Sequence, residues 1–215
     1  MRLEPIATPP SLLGRLLDAA VRSALGRSIT PSQVVYNRVP AAWRISLAFQ
    51  LFERFGAKLP AELRLLVTTR VAQLNGCAFC QDIKRASAIR AELGTAKFDA
   101  LEDWRTSPVF SPRERAALAF VEQATDALRV DDATFAELAR HFDEREIVEL
   151  ALCNAIEHFY NRMNLALDID ASDGLEAIAR EGRRARPDRS PRVSGDVPVR
   201  DREPAGDARN GPANA

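Results

Sequence analysis

Three features of this sequence predict an all-α fold. Apolar residues recur at intervals of three and four, helix-start signals precede those runs, and no stretch alternates with period two over a useful length. Leu12, Leu16, Ala19, Ala20 and Leu25 give a first helix from about Ser11. Trp43, Leu47, Ala48, Leu51, Phe52 and Phe55 line one face of a second, which stops near Gly56. Pro60, in a position that a first helical turn tolerates, opens a third. It runs to about Asn75 with Leu63, Leu66, Val67, Val71 and Leu74 turned inward. Residues 77–93 form a fourth helix, with Gly94 as its expected left-handed cap. A short helix passes through Phe98, Leu101 and Trp104. Ser111-Pro-Arg-Glu114 then joins an N-cap serine, a first-turn proline and a glutamate three residues on, a capping box ahead of Leu118, Val121 and Leu128. Asp143 with Glu146 repeats the device before a long helix carrying Ile147, Ala151, Ile156, Phe159 and Met163. No internal repeat is detectable.

A chain of 215 residues holds one ordinary domain and a tail. Its 30 basic and 30 acidic side chains leave no net charge to gather nucleic acid or an anionic membrane, so neither is expected as a partner. With 46% hydrophobic residues it can build a core, yet no run approaches the roughly 18 apolar residues of a membrane span. Met1-Arg-Leu-Glu-Pro-Ile has no apolar signal-peptide core, which points to the cytoplasm.

The segment 181–215 differs from everything before it. From Gly182 onward the large apolar residues are Val193, Val197 and Val199, with five prolines among them. Such a segment buries too little surface to offset its ordering entropy and is expected to be disordered.

The chemistry concentrates in Cys77-Ala-Phe-Cys80. Two thiols three apart on one helical face can close to a disulfide and reopen by exchange. At a helix N-terminus the free amides and the dipole favour a thiolate. Lys84 lies one turn beyond Cys80 on the same face, where its ammonium would stabilise a Cys80 thiolate, whereas Asp82 projects elsewhere. Zinc uses this spacing too, but a structural site wants four ligands, and no second C-x-x-C or H-x-x-x-H exists here; Cys153 and His158 would form an unmatched pair. No metal or cofactor is expected. Cys153 reads as a small buried hydrophobe, and His158, between Glu157 and Phe159, as a satisfied core or interface histidine.

Val71-Ala-Gln-Leu-Asn-Gly-Cys-Ala-Phe-Cys80 and Trp104-Arg-Thr-Ser-Pro-Val-Phe-Ser-Pro-Arg-Glu-Arg-Ala-Ala-Leu-Ala119 resemble the alkylhydroperoxidase-D-like branch of the carboxymuconolactone decarboxylase family. Ile156-Glu-His-Phe-Tyr-Asn-Arg-Met-Asn164 looks like its closing helix. The resemblance covers roughly residues 40–170. It implies an all-α helical bundle assembled as a homotrimer or homohexamer, and a thiol peroxidase recharged by a thioredoxin-like or lipoyl dithiol. It implies Cys80 as the peroxidatic thiol and Cys77 as the resolving one. It also divides the chain into an N-terminal extension and helix (1–39), the family's helical domain (40–180) and the tail (181–215). The family's proton relay uses a histidine four residues after the second cysteine and a glutamate twelve before the first. Lys84 and Leu65 stand at those positions here, and Glu62, one turn before Leu65, is the nearest candidate carboxylate. The decarboxylase branch lacks the cysteine pair, so that reaction is disfavoured.

Three readings follow. In the first, Cys80 attacks a hydroperoxide and Cys77 closes the disulfide, with Lys84 and Glu62 as assisting groups. In the second, the chain is a helical scaffold or redox sensor that has lost the relay. A third, a lyase using Glu62, Lys84 or His158 as acid and base, has no specific support.

Overall fold

The computed structural model describes residues 1–169 and 171–185, and its regular structure is helical throughout. The α-helices among the described residues are α1 (Leu12–Leu25), α2 (Trp43–Leu51), α3 (Ala61–Leu74), α4 (Ala78–Arg90), α5 (Ala96–Asp99), α6 (Pro112–Asp126), α7 (Asp132–Ala139), α8 (Glu144–Ala166) and α9 (Leu175–Ala185). A π-helical turn spans Ser32–Tyr36, and another, Phe52–Gly56, prolongs α2. No helix among the described residues is long and apolar enough to cross a membrane.

Side chains that accept the first free amides set the helix starts. Ser11 caps α1 and Asp131 caps α7. Ser111 with Glu114, and Asp143 with Glu146, close full capping boxes at α6 and α8, as the sequence pattern demands. The amides ahead of α3 are met from across the fold. Glu149 of α8 accepts from Lys58 N and Leu59 N at 2.7 and 2.9 Å, and its carboxyl, despite burial, is held below its ordinary range by those bonds and by Arg145.

Helix α3 is central, packing against α4, α6 and α8. Its Leu63, Leu66, Val67 and Val71 join Leu118 and Val121 of α6 and Leu150 and Cys153 of α8 in the main core. Leu65, on the flank of α3, is partly buried against that core. A smaller cluster gathers Cys77, Phe79, Cys80, Ala86 and Ile89 with Leu175 and Ala179 of α9.

Several elements depart from the pattern reading. The short helix ends at Asp99, and Leu101 and Trp104 are buried from the turns that follow. Trp104 is anchored by its indole N–H to Glu122 (2.9 Å) rather than by helical register. The first left-handed residue after α4 is Glu92 (φ 59°), whose amide and that of Leu93 bond back to Ile89 and Ala88; Gly94 follows two residues later. Leu128 lies beyond α6, exposed and left-handed. Helix α7 has no long apolar run to announce it. Helix α9 extends to Ala185, into the first residues assigned to the tail, because Leu175 and Ala179 find α4 to pack on. The rest of the expected tail, 186–215, lies outside the described residues.

The two N-terminal helices carry the largest difference. Leu12 and Leu16 of α1 are exposed while Gly14 and Asp18 are buried. On α2 and its extension Leu47 (51%), Leu51 (49%) and Phe55 (74%) face outward. The inward side of α2 carries Ser46, hydrogen-bonded to Tyr36, and Phe49, edge-on to Phe159 and Tyr160 of α8. The apolar periodicity of α2 thus marks an outer face of the single chain.

Candidate active site

The turn between α3 and α4 places the cysteine pair. Gly76 adopts φ +71°, which lets its amide and that of Cys77 return to Gln73 O and Ala72 O and close the end of α3. An added Cβ there would meet nothing within 4 Å, so the requirement for glycine is one of backbone angle. The chain leaves this turn with Cys77 as the N-cap of α4, its Sγ accepting from Cys80 N at 3.3 Å. Cys80 sits in the first turn, and the two sulfurs are joined as a disulfide with Cα atoms 5.3 Å apart. Both cysteines are buried, at 0% and 2% exposure.

Helix α8 runs antiparallel across α4 here, and two contacts link them like rungs. Asn164 Nδ2 donates to Cys80 Sγ at 3.4 Å. Two turns earlier on α8, Glu157 Oε2 lies 3.2 Å from Lys84 Nζ, an ion pair 1% and 16% exposed at its side chains. Burial disfavours the Lys84 ammonium, but the Glu157 carboxylate and the more distant Glu53 outweigh it and raise the lysine's pKa above the ordinary value. Lys84 is therefore held as a cation.

The other Glu157 oxygen accepts from Asn161 Nδ2 at 2.6 Å. Asn75, the C-cap of α3, donates to Asn161 Oδ1 (2.9 Å) and faces His158 Nδ1 (3.2 Å). His158 Nε2 lies 3.3 Å from Thr125 Oγ1, whose own hydroxyl donates to Val121 O. Nδ1 is thus the acceptor and Nε2 carries the proton. Burial and nearby Arg162 push the His158 pKa down, so the ring stays neutral in this chain of bonds.

Of the sequence-based set, the structure joins Cys77 and Cys80 and places Lys84 one turn beyond Cys80 on α4, its ammonium paired with Glu157. It does not bring Glu62 to them. Glu62 begins α3 while the cysteines follow its end, a separation of about 18 Å at 1.5 Å per residue, and its carboxylate pairs with Lys97 (3.0 Å), which also holds Glu114 (2.7 Å). Asp82 does project away, accepting from Leu175 N and Glu176 N at 2.8 Å each and so capping α9. Cys153 lies in the main core with its thiol pushed up to about 11 by burial, as an inert hydrophobe would. Among the described residues no three His, Cys, Asp or Glu side chains gather to hold a metal ion.

The sequence reading missed Asn75, Glu157, Asn161 and Asn164. Asn154, Glu157, Asn161 and Asn164 are spaced by three, four and three. That places a polar stripe in phase with the buried stripe of Leu150 and Cys153, which is the signal that identifies it.

Comparison with known proteins supplies the context. The model of the carboxymuconolactone decarboxylase family matches residues 39–123, from just before α2 through most of α6. The uncharacterized protein YnjA of Escherichia coli (strain K12) is 34% identical over 173 residues, 80% of this chain and 94% of YnjA. The chain belongs to the carboxymuconolactone decarboxylase family. Within that family it falls in the alkylhydroperoxidase-D-like branch. A solved protein of unknown function from Agrobacterium tumefaciens, named for antioxidant defence as AhpD, shares 26% identity and a TM-score of 0.58, over 62% of this chain and 92% of that one. The debrominase Bmp8, solved with 2,3,4-tribromopyrrole, shares the fold at a TM-score of 0.69 and 23% identity, over 85% of this chain and 99% of Bmp8.

Proposed function

We propose that this chain is a thiol-dependent oxidoreductase with a peroxidase-related role, in which Cys80 attacks a hydroperoxide and Cys77 resolves the product. One observation carries the reading. The bonded pair opens α4 against a stretch of α8 that presents an amide donor to Cys80 and a carboxylate to Lys84. In the first step the Cys80 thiolate, the hydroperoxide and one proton give a sulfenic acid and an alcohol. The Cys77 thiol then condenses with the sulfenic acid, releasing water and forming the disulfide. A thioredoxin-like or lipoyl dithiol returns two electrons and two protons by exchange, becoming oxidised itself. Lys84 acts by charge. A lysine held above its ordinary pKa is a poor proton shuttle at neutral pH but a steady electrostatic partner for a thiolate and for an alkoxide leaving group.

The helical domain of 40–180 supplies all of these residues. The outward stripe of Leu47, Leu51 and Phe55 is the kind of surface that a homotrimer or homohexamer would cover.

The test is stoichiometric. Reduced protein treated with one equivalent of hydroperoxide should lose two thiols and show a Cys77–Cys80 disulfide by mass spectrometry, and Cys80→Ser should lose this reaction. Thiols that persist through the treatment would overturn the reading and favour the scaffold, for which Leu65, packed against the core at the family's glutamate position, is the supporting observation.

A further inference from the structure

Asn164 is buried at 1% exposure, and its side chain makes one hydrogen bond among the described residues, from Nδ2 to Cys80 Sγ. Its Oδ1 is buried with no partner. A buried amide oxygen without a donor lowers stability, and a weak contact to sulfur does not offset it. Asn161, one turn before on the same helix, has both ends of its amide satisfied. Of these two amides, the one beside the sulfur keeps the open valence; Glu157 Oε2 also lacks a hydrogen bond, but it faces the Lys84 ammonium at 3.2 Å, whereas Asn164 Oδ1 faces no cation among the described residues.

We propose that Asn164 is a catalytic residue: its Nδ2–H holds the Cys80 thiolate while its Oδ1 accepts the O–H of an incoming hydroperoxide, setting the oxygen to be attacked against the sulfur. The proposal rests on the reading of Cys80 as the attacking thiol. The two sulfurs have separate donors. Cys77 takes a backbone amide at the helix end, and Asn164 supplies a donor to Cys80 from α8. The thiolate sulfur forms a bond to the oxygen that carries hydrogen, the O–O bond breaks, and its electron pair leaves on the alkoxide, which takes up a proton. Two electrons pass from sulfur to oxygen, the alkoxide takes its proton from solvent, and no other oxidant or reductant is needed. A neutral amide is suited to this work, because it donates and accepts at once without changing its protonation state.

The experiment uses the full chain carrying Cys77→Ser, which keeps a good N-cap and leaves Cys80 as the remaining thiol of the pair. Alkylation of Cys80 by iodoacetamide is followed against pH and compared with the rate of hydroperoxide consumption. Asn164→Asp sets a carboxylate against the sulfur. It should raise the thiol pKa and slow alkylation at pH 7 by about tenfold if that pKa rises by about one. Asn164→Leu, of similar size and uncharged, should raise the pKa less. In the leucine variant, which has no acceptor, hydroperoxide consumption should fall further than alkylation does, whereas the aspartate variant, which keeps an acceptor oxygen, should lose the two in step. Thermal unfolding of each variant checks that it folds, and the leucine variant stands in if the aspartate one does not. An alkylation profile that matches the parent in the variants overturns the role of Nδ2, and equal losses in the two reactions of the leucine variant overturn the role of Oδ1. A parent that alkylates normally but consumes no hydroperoxide overturns the function proposed above, and leaves the pKa comparison readable.

Discussion

Two stretches of α8, 150–153 in its first half and 157–164 in its second, bury their inward side chains to the same degree by opposite chemistry. Leu150 and Cys153, in the first half, are 0% and 2% exposed and lie in the main core with residues of α3 and α6. Glu157, Asn161 and Asn164, in the second, are 1%, 0% and 1% exposed and face the start of α4 and the end of α3. Leucine at such a site contributes by leaving water. A carboxylate there loses hydration that a single ammonium and one amide only partly replace. The second half of the helix is thus held at a cost in stability, at the place where the cysteines lie.

The largest effect that separates the halves is expected from Glu157→Leu. It leaves the Lys84 ammonium buried without its counter-charge and should destabilise the fold by about 3–5 kcal/mol in denaturant unfolding. Adding Lys84→Met should restore most of that loss, because an apolar pair can replace a buried ion pair at little cost. If the double variant is no more stable than the single one, the second half is ordinary core and the contrast fails.

Next comes Leu150→Ala, expected to cost about 2–5 kcal/mol through the cavity it leaves, while the pH profile of Cys80 alkylation stays where it was. A displaced thiol profile in this variant would mean that the halves are coupled.

The smallest effect lies at alkaline pH. The Cys153 thiol ionises near 9.0 in the unfolded chain and near 11 in the folded one, so the unfolded state releases its proton first and stability should fall as pH rises between those values. Cys153→Ala should flatten that slope. Lys84 has the opposite charge type but the same consequence at higher pH: its raised pKa keeps its stabilising contribution intact up to about 10.5, beyond which it is lost.

Much of this was legible from the chain. The end of α3 near Asn75, the two capping boxes and the apolar register of α3 are local signals, and local signals read correctly where nothing distant overrides them. What escaped is non-local. The stripe on α2 is periodic in either surrounding, so the pattern sets its register but not which side meets solvent. Glu62 and Glu157 are both glutamates in helices, and only the antiparallel crossing of α4 and α8 brings one to Lys84 and leaves the other with Lys97. The last residues of α9, 181–185, are charged enough to be read as tail until the helix's apolar contacts on α4 and its hold by Asp82 are seen.

Asp82 has a further consequence for how the protein is made. It holds the start of α9 across 93 residues of chain, and Asp173, just before that helix, holds Thr30 across 143 through its backbone amide and hydroxyl. Contacts with such separations close long loops and form after the local helices. During synthesis, at roughly 5–20 residues per second, Cys80 precedes Leu175 by about 5 to 20 seconds. Throughout that interval α9 does not exist to cover the thiols, and for most of it the asparagine end of α8 does not either. The cysteine pair is therefore made well before the elements that bury it in the folded chain.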